Sequence, residues 1–322
     1  MKKEPISKRQ HYVNQAYLKN FRIESTEDSL FMYDKEKMSI ARVKTANVAS
    51  ENFFYDRTEE RIIEKTLAEF EGKCNVILKK VIEKEDLDQL ISEEKELLAT
   101  FLAVQFLRSK ELRIDYKQIA EAVLERVAEK IVPDFKKGDI KVVEDSLSGL
   151  HVHTIFKESG HFAKLFLDKS WKLCINNSSI PFWTSDNPCA IHNDLEPEPF
   201  KSNLGIECKG FQLHFPLSSR LLLIIIDKNI KVIDLSNAKE IKYPKKRSFY
   251  RNIDKKLDVP LFTLMPPKEF VGGDRVTFEN NLQVISATRF IFSSNEDFSL
   301  ADKYLKEQPI HRNANRGRFK VM

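Results

Sequence analysis

Phe182-Trp183-Thr184-Ser185-Asp186-Asn187-Pro188 is an apolar run that closes on a hydroxyl, an acid, an amide and a proline. A strand ending in Ser-Asp-Asn-Pro offers side chains that bond locally at a turn, and the proline, having no N–H, stops further ladder pairing. The stretch therefore marks a strand end where polar groups can gather for chemistry, although the same composition serves a purely structural turn. The residues around it read as sheet: Trp171 to Ile175, Pro181 to Ser185, Phe211 to Phe215, Leu221 to Ile226 and Lys231 to Ile233 are short aromatic and branched runs separated by polar breaks. A further strand or helix precedes Ala287 to Ser293. Asp194 to Gly210, with Pro197 and Pro199 among acids, reads as a surface loop.

Toward the N-terminus the period changes. Gln10 to Phe21 predicts a helix carrying His11, Gln15, Leu18 and Arg22 on one face, and Ser29 to Asp34 with Met38 to Lys44 predicts a hairpin joined by Lys35-Glu36-Lys37. Glu59 to Glu83 places Ile63, Leu67, Phe70, Cys74, Ile77 and Val81 on one helical stripe. Ser92 is the expected N-cap of a helix running to about Arg113, with Glu93, Glu94 and Glu96 in its first turn. A third helix is expected from Asp115 to Ile131, ended by Val132-Pro133 and a loop at Lys136-Lys137-Gly138, and another carries His161, Leu165 and Phe166 before Trp171. The expected class is α+β, a helical N-terminal half packed against a mainly antiparallel sheet in the C-terminal half. The divisions are 1–170 for hairpin and helices, 171–295 for the β region and 296–322 for a basic tail, all within one compact unit.

With 322 residues and 42% hydrophobic composition the chain can bury a core. A formal charge of +5 permits nucleic-acid contact, and the tail adds Lys303, Lys306, His311, Arg312, Arg316, Arg318 and Lys320. Cys74, Cys174, Cys189 and Cys208 form no CxxC pair, so they read as reduced thiols rather than a zinc or redox motif. Met1 to Pro5 has no signal-like apolar stretch, and no apolar run is long enough to span a bilayer, so the expectation is a cytoplasmic protein without a membrane partner. Gly272-Gly273 is a lone pair and makes no phosphate-cradling fingerprint.

Polar residues at apolar positions carry the chemistry. The spacing Leu98, Phe101, Gln105, Arg108, Leu112 puts Gln105 and Arg108 within a core-facing stripe, where a permanently charged guanidinium must meet a carboxylate, a phosphate or water. Glu71, beside Leu67 and Cys74, is its natural partner; an internal ion pair and an anion or substrate contact are both open. If these residues converge with His11, Gln15, Asp186 and Asn187, the cleft has His11, Glu71 and Asp186 for catalysis and Gln15, Gln105, Arg108 and Asn187 for binding substrate. His151 and His153, two apart, could ligate metal from one strand face; surface histidines are the plainer reading.

Lys8 to Phe21, Asn47-Val48-Ala49-Ser50-Glu51 with Phe54-Tyr55-Asp56, Gln105-Phe106-Leu107-Arg108, Thr184 to Pro188, Phe215-Pro216-Leu217-Ser218 and Ala287-Thr288-Arg289-Phe290 together resemble the bacterial domain-of-unknown-function 4238 family. The resemblance runs from near the N-terminus to about Ser293 and implies no reaction. Asn14 stands where the family pattern has proline; asparagine can cap the helix instead. The functional expectation is a nucleic-acid-directed hydrolase, nuclease-like, with a toxin or phage-defence role and RNA or DNA as partner, in which Asp186 and Glu71 either hold a divalent metal, Mg2+ or Mn2+, or activate water, His11 transfers protons and Arg108 binds phosphate. No HNH, HD or PD-(D/E)xK spacing accompanies it. The alternative is a non-catalytic module that binds a nucleotide or other ligand, and a blander third reading is a scaffold whose polar network only fixes the fold.

Overall fold

A computed structural model describes residues 9–55, 62–132, 134, 136, 141, 144–195, 204–228 and 267–315. The expected strand at Lys231 to Ile233, Asp56, Pro133, Lys137-Gly138, Pro197, Pro199 and the tail cations Arg316, Arg318 and Lys320 lie outside the described residues.

The chain is α+β, with helices mostly in the N-terminal half and strands in both halves. The expected helix from Gln10 is instead a strand, β1 (Arg9–His11), followed by the short α1 (Gln15–Leu18). β1 pairs antiparallel with β4 (Ser50–Asn52), and the N–H groups of Tyr12 and Val13 continue onto the Ala49 carbonyl. Pairing with a segment about 40 residues away overrides the local helical pattern. Asn14 caps α1, its Oδ1 accepting from the Tyr17 N–H at 2.6 Å, and its φ of −55° is one that proline also adopts.

The hairpin β2 (Ser29–Asp34) and β3 (Ser39–Lys44) forms as expected and joins β11 (Phe290–Ser293) and β6 (Thr184–Ser185) in a sheet of order β3-β2-β11-β6. This sheet unites N- and C-terminal residues, so the division into a helical half and a β half holds only coarsely. β6 is shorter than Pro181 to Ser185 because Asn280 draws the preceding residues away: its Oδ1 takes the Trp183 N–H at 2.8 Å and its Nδ2 donates to the Pro181 carbonyl at 3.0 Å.

A second sheet has the order β10 (Lys268–Val271), β5 (Ser170–Asn176), β9 (Leu221–Ile226), β8 (Phe211–Pro216) and β7 (Ala190–Asn193). It is antiparallel except for β10 against β5. β9 is buried on both faces, which its unbroken apolar sequence requires. Leu221, Leu223 and Ile225 enter the large core beneath α3 (Ser92–Leu107) and α5 (Glu144–Leu167); Leu222, Ile224 and Ile226 pack with Val276 of α6 (Gly273–Ser286).

α2 (Ile62–Lys84) buries Leu67, Cys74, Ile77 and Val81 as its stripe predicts. α3 begins one residue earlier than expected at its cap: Ile91 precedes the helix and its N–H bonds Glu94 Oε2 at 3.1 Å, while Ser92 is the first helical residue. The single helix expected to run to Arg113 breaks at Arg108, and Ser109 caps α4 (Lys110–Ile131), its Oγ accepting from the Leu112 N–H at 3.3 Å. Arg108, the residue that ends α3, is buried at this break. Part of the segment read as a basic tail forms α7 (Ser299–Glu307), whose Ala301 and Leu305 pack with Tyr33, Trp183 and Ile291. Among the described residues no helix is long and apolar enough to cross a membrane.

His151 and His153 lie on α5, not on a strand, and residues two apart on a helix point about 200° from each other. His153 is exposed, but His151 is buried in the core, its Nε2 donating to the Leu107 carbonyl at 2.8 Å. Burial lowers its pKa from 6.5 to about 4. Between those values the unfolded chain binds the proton more tightly, so the stabilisation is complete above pH 6.5 and is lost as pH falls toward 4. Wild type should lose about 2 kcal/mol by pH 5 through this residue. His151→Phe should flatten that limb in urea titrations run at successive pH values; an unchanged limb would clear His151 of the effect.

Candidate functional site

Three of the candidate residues, Glu71, Gln105 and Arg108, form one hydrogen-bonded network at the end of α3. Arg108 pairs with Glu71 through Nη1 and with Gln105 Oε1 through both Nε, at 3.1 Å, and Nη2. Gln105 Nε2 in turn donates to the Tyr12 carbonyl at 3.0 Å. Burial opposes the charge on Arg108, which is 1% exposed, but Glu71 and Tyr55 outweigh it and raise its pKa. The guanidinium thus meets an internal carboxylate, which is one of the two readings its position allowed. Tyr55 ties this network to the β1 to β4 ribbon: its hydroxyl donates to the His11 carbonyl at 3.0 Å and its N–H to Gln10 Oε1 at 2.6 Å.

His11 sits on that ribbon beside the ion pair. Burial lowers its pKa, opposed by a hydrogen bond to the Ala46 backbone and by Glu71, so the ring is neutral near neutral pH. Nε2 is buried and has no hydrogen-bond partner among the described residues. A neutral imidazole donates through one ring nitrogen and accepts through the other, so the ring can take up a proton. Gln15 lies close by in sequence but reaches Thr45, Nε2 to Oγ1, at 3.5 Å. His11 and Gln15 do not share a helix face.

Asp186 and Asn187 belong to a different network. Asp186 is 1% exposed and accepts the N–H groups of Thr288 at 2.8 Å, Arg289 at 2.9 Å and Phe290 at 3.0 Å. Burial raises its pKa despite those bonds and the nearby Lys35 charge. Asn187 Nδ2 donates to Glu111 Oε2 at 2.6 Å and to the Ser286 carbonyl at 3.1 Å. The turn at Ser-Asp-Asn-Pro thus clasps the end of α6 to the start of β11. Tyr12 stands between the two networks, its carbonyl in the first and its phenol near Asp186 and Glu51. The structure brings His11, Glu71, Gln105 and Arg108 together, places Gln15 at their edge, and gives Asp186 and Asn187 a separate set of hydrogen-bond partners.

A third polar network escaped the sequence reading. On the α6 side of the second sheet, His214 Nδ1 contacts Glu279 Oε2 at 2.7 Å and its Nε2 contacts Gln212 Oε1 at 3.1 Å. Gln212 Nε2 bonds Asp194 Oδ2 at 2.8 Å, Asp194 Oδ1 contacts His192 Nε2 at 2.8 Å, and Arg275 pairs with Glu279. Burial lowers the His214 pKa against the pull of Glu279. The alternation Gln212-x-His214 and the i, i+4 pair Arg275 and Glu279 are its only sequence traces.

Among the described residues no group of three His, Cys, Asp or Glu side chains is placed to hold a metal ion. Two surface hollows, of about 310 Å³ beside Asn176, Ser219 and Arg220 and about 290 Å³ beside Lys95 and Trp171, contain none of the candidate residues. A family model described as Protein of unknown function (DUF4238) matches residues 9–297. No curated protein and no solved structure matches the chain.

Proposed function

We propose, from the premise that the chain belongs to the DUF4238 family, that it is a nucleic-acid-directed hydrolase in which His11 is the proton acceptor. The half-buried His11, its pKa lowered by burial and its Nε2 without a hydrogen-bond partner among the described residues, carries this reading, because a general base must be unprotonated at the working pH. The surroundings suit a polyanion. Arg9 is exposed at the same ribbon, bonded to the Asn47 carbonyl at 2.9 Å, and Lys110 pairs with Glu51 beside it. The chain carries +5 overall, a balance that favours approach of a phosphate backbone and makes binding weaken with salt.

In this reading His11 Nε2 takes a proton from the group that attacks phosphorus and returns it to the leaving oxygen. Glu71 and Arg108 position the ribbon rather than touch substrate, since each already engages the other. Asp186 and Glu71, the carboxylates offered by sequence as metal ligands, are occupied by backbone amides and by Arg108, so no step is assigned to a metal held there.

Labelled RNA and DNA incubated with the purified chain test this directly. His11→Ala should slow cleavage about 100-fold with an unchanged melting temperature. The wild-type rate should fall on an acid limb below pH 6.5, because burial lowers the His11 pKa. Cleavage by His11→Ala at the wild-type rate would overturn the assignment.

A further inference from the structure

We infer that Ser50 is the nucleophile that His11 activates, so that cleavage passes through a covalent phosphoseryl enzyme; this rests on the hydrolase reading above. The register of the ribbon places His11 directly opposite Ser50. Directly opposed residues of an antiparallel pair project from the same face with Cβ atoms about 4.5–5.5 Å apart, within reach of a histidine ring. Both side chains present a shielded polar atom without a hydrogen-bond partner among the described residues, Nε2 on His11 and Oγ on Ser50. Shielded polar groups are usually paired, and here two that lack a hydrogen bond stand at directly opposed positions of one ribbon. Both residues are partly exposed, while Nε2 and Oγ themselves are shielded and are not hydrogen-bonded to each other.

The backbone at this point is also unusual. Ala49, immediately before Ser50, has φ of 48°, and Phe53, just after β4, has φ of 56°. These are left-handed conformations that side chains other than glycine seldom adopt, and they persist only where neighbours enforce them. The N–H groups of Tyr12 and Val13, next to His11, hold the Ala49 carbonyl at 3.0 and 3.4 Å. The same bonds thus fix base and hydroxyl relative to each other.

A serine hydroxyl becomes a competent nucleophile only beside a base. As its Oγ forms a bond to phosphorus, the Oγ proton passes to His11 Nε2 and the bond from phosphorus to one ester oxygen breaks. That oxygen leaves with the proton from His11. Water then attacks the phosphoseryl group, gives a proton to His11, and Ser50 recovers its hydrogen as the Oγ bond to phosphorus breaks.

A fluorophosphonate probe reports the nucleophile without any nucleic acid. The full chain should be labelled at Ser50, as read by peptide mass spectrometry, with no adduct on Ser50→Ala and labelling about 100-fold slower in His11→Gln. Ser50→Ala should also abolish cleavage while keeping its melting temperature. A folded Ser50→Ala that cleaves at the wild-type rate, when His11→Ala does not, would overturn the nucleophile and leave the hydrolase reading standing. Labelling of Ser50 in a wild type that cleaves neither RNA nor DNA would support the nucleophile and sink the hydrolase reading. Should Ser50→Ala fail to fold, Ser50→Cys keeps the side-chain volume; alkylation by iodoacetamide no faster than that of a free cysteine would count against activation.

Discussion

Arg108→Ala should destabilise the protein by about 3–5 kcal/mol, the cost of removing one partner from a buried ion pair. The guanidinium is 1% exposed and Glu71 is 17% exposed, so the carboxylate left behind has little water to replace its partner. Gln105 loses both donors to its Oε1, and its grip on the Tyr12 carbonyl loosens with them. Arg108→Lys should recover little, because an ammonium cannot reach Glu71 and Gln105 together as the planar fork does. The double substitution Arg108→Met with Glu71→Leu should recover much of the loss, since it removes both charges and fills the volume. Urea unfolding checks all three; a loss under about 1 kcal/mol for Arg108→Ala would rank the pair with weak surface ion pairs.

Asp186→Ala should cost about 3 kcal/mol or more. Its carboxylate takes the N–H groups of Thr288, Arg289 and Phe290, and each buried amide stranded by the substitution costs about 1–3 kcal/mol. Asp186→Asn should do less harm, because its remaining oxygen can still receive an amide while its NH2 faces a donor. Hydrogen exchange gives the local signature: protection of those three amides should collapse in Asp186→Ala well before the α3 and α5 core opens. Unchanged protection at residues 288–290 would refute the clasp.

Arg108 shows how much of the candidate site could be read from the chain alone. Its place in an apolar stripe calls for a carboxylate, a phosphate or water, and Glu71, on the edge of another stripe, is the carboxylate placed to answer it. Such inferences work because helical period fixes which side chains face inward, and a charge that faces inward must be answered. Gln105 followed for the same reason. Asp186 was legible as buried polar chemistry at a strand end, yet the identity of its partners was not. Backbone amides more than 100 positions away carry no compositional mark of their availability.

His11 failed differently. Its neighbours fit a helical face, and the competing influence was a strand of three residues, Ser50–Asn52, too short to show alternation. The helix break at Arg108 was missed although Ser109 is a sound cap, because the apolar period continues smoothly to Leu112. The network of His192, Asp194, Gln212, His214 and Glu279 left even less trace, being assembled across β7, β8 and α6.

The order of residues by itself determined the α2 stripe, the β2–β3 hairpin and the buried β9, because period and apolar runs are local properties of the chain. It also required the Arg108 guanidinium to meet a carboxylate, a phosphate or water, without choosing among them. Only the tertiary structure decided that His11 stands opposite Ser50 on a ribbon, and that the Asp186 carboxylate receives backbone amides. Those outcomes depend on pairings between distant segments, whose free energy comes from hydrogen bonds and packing that do not exist until the chain has closed upon itself.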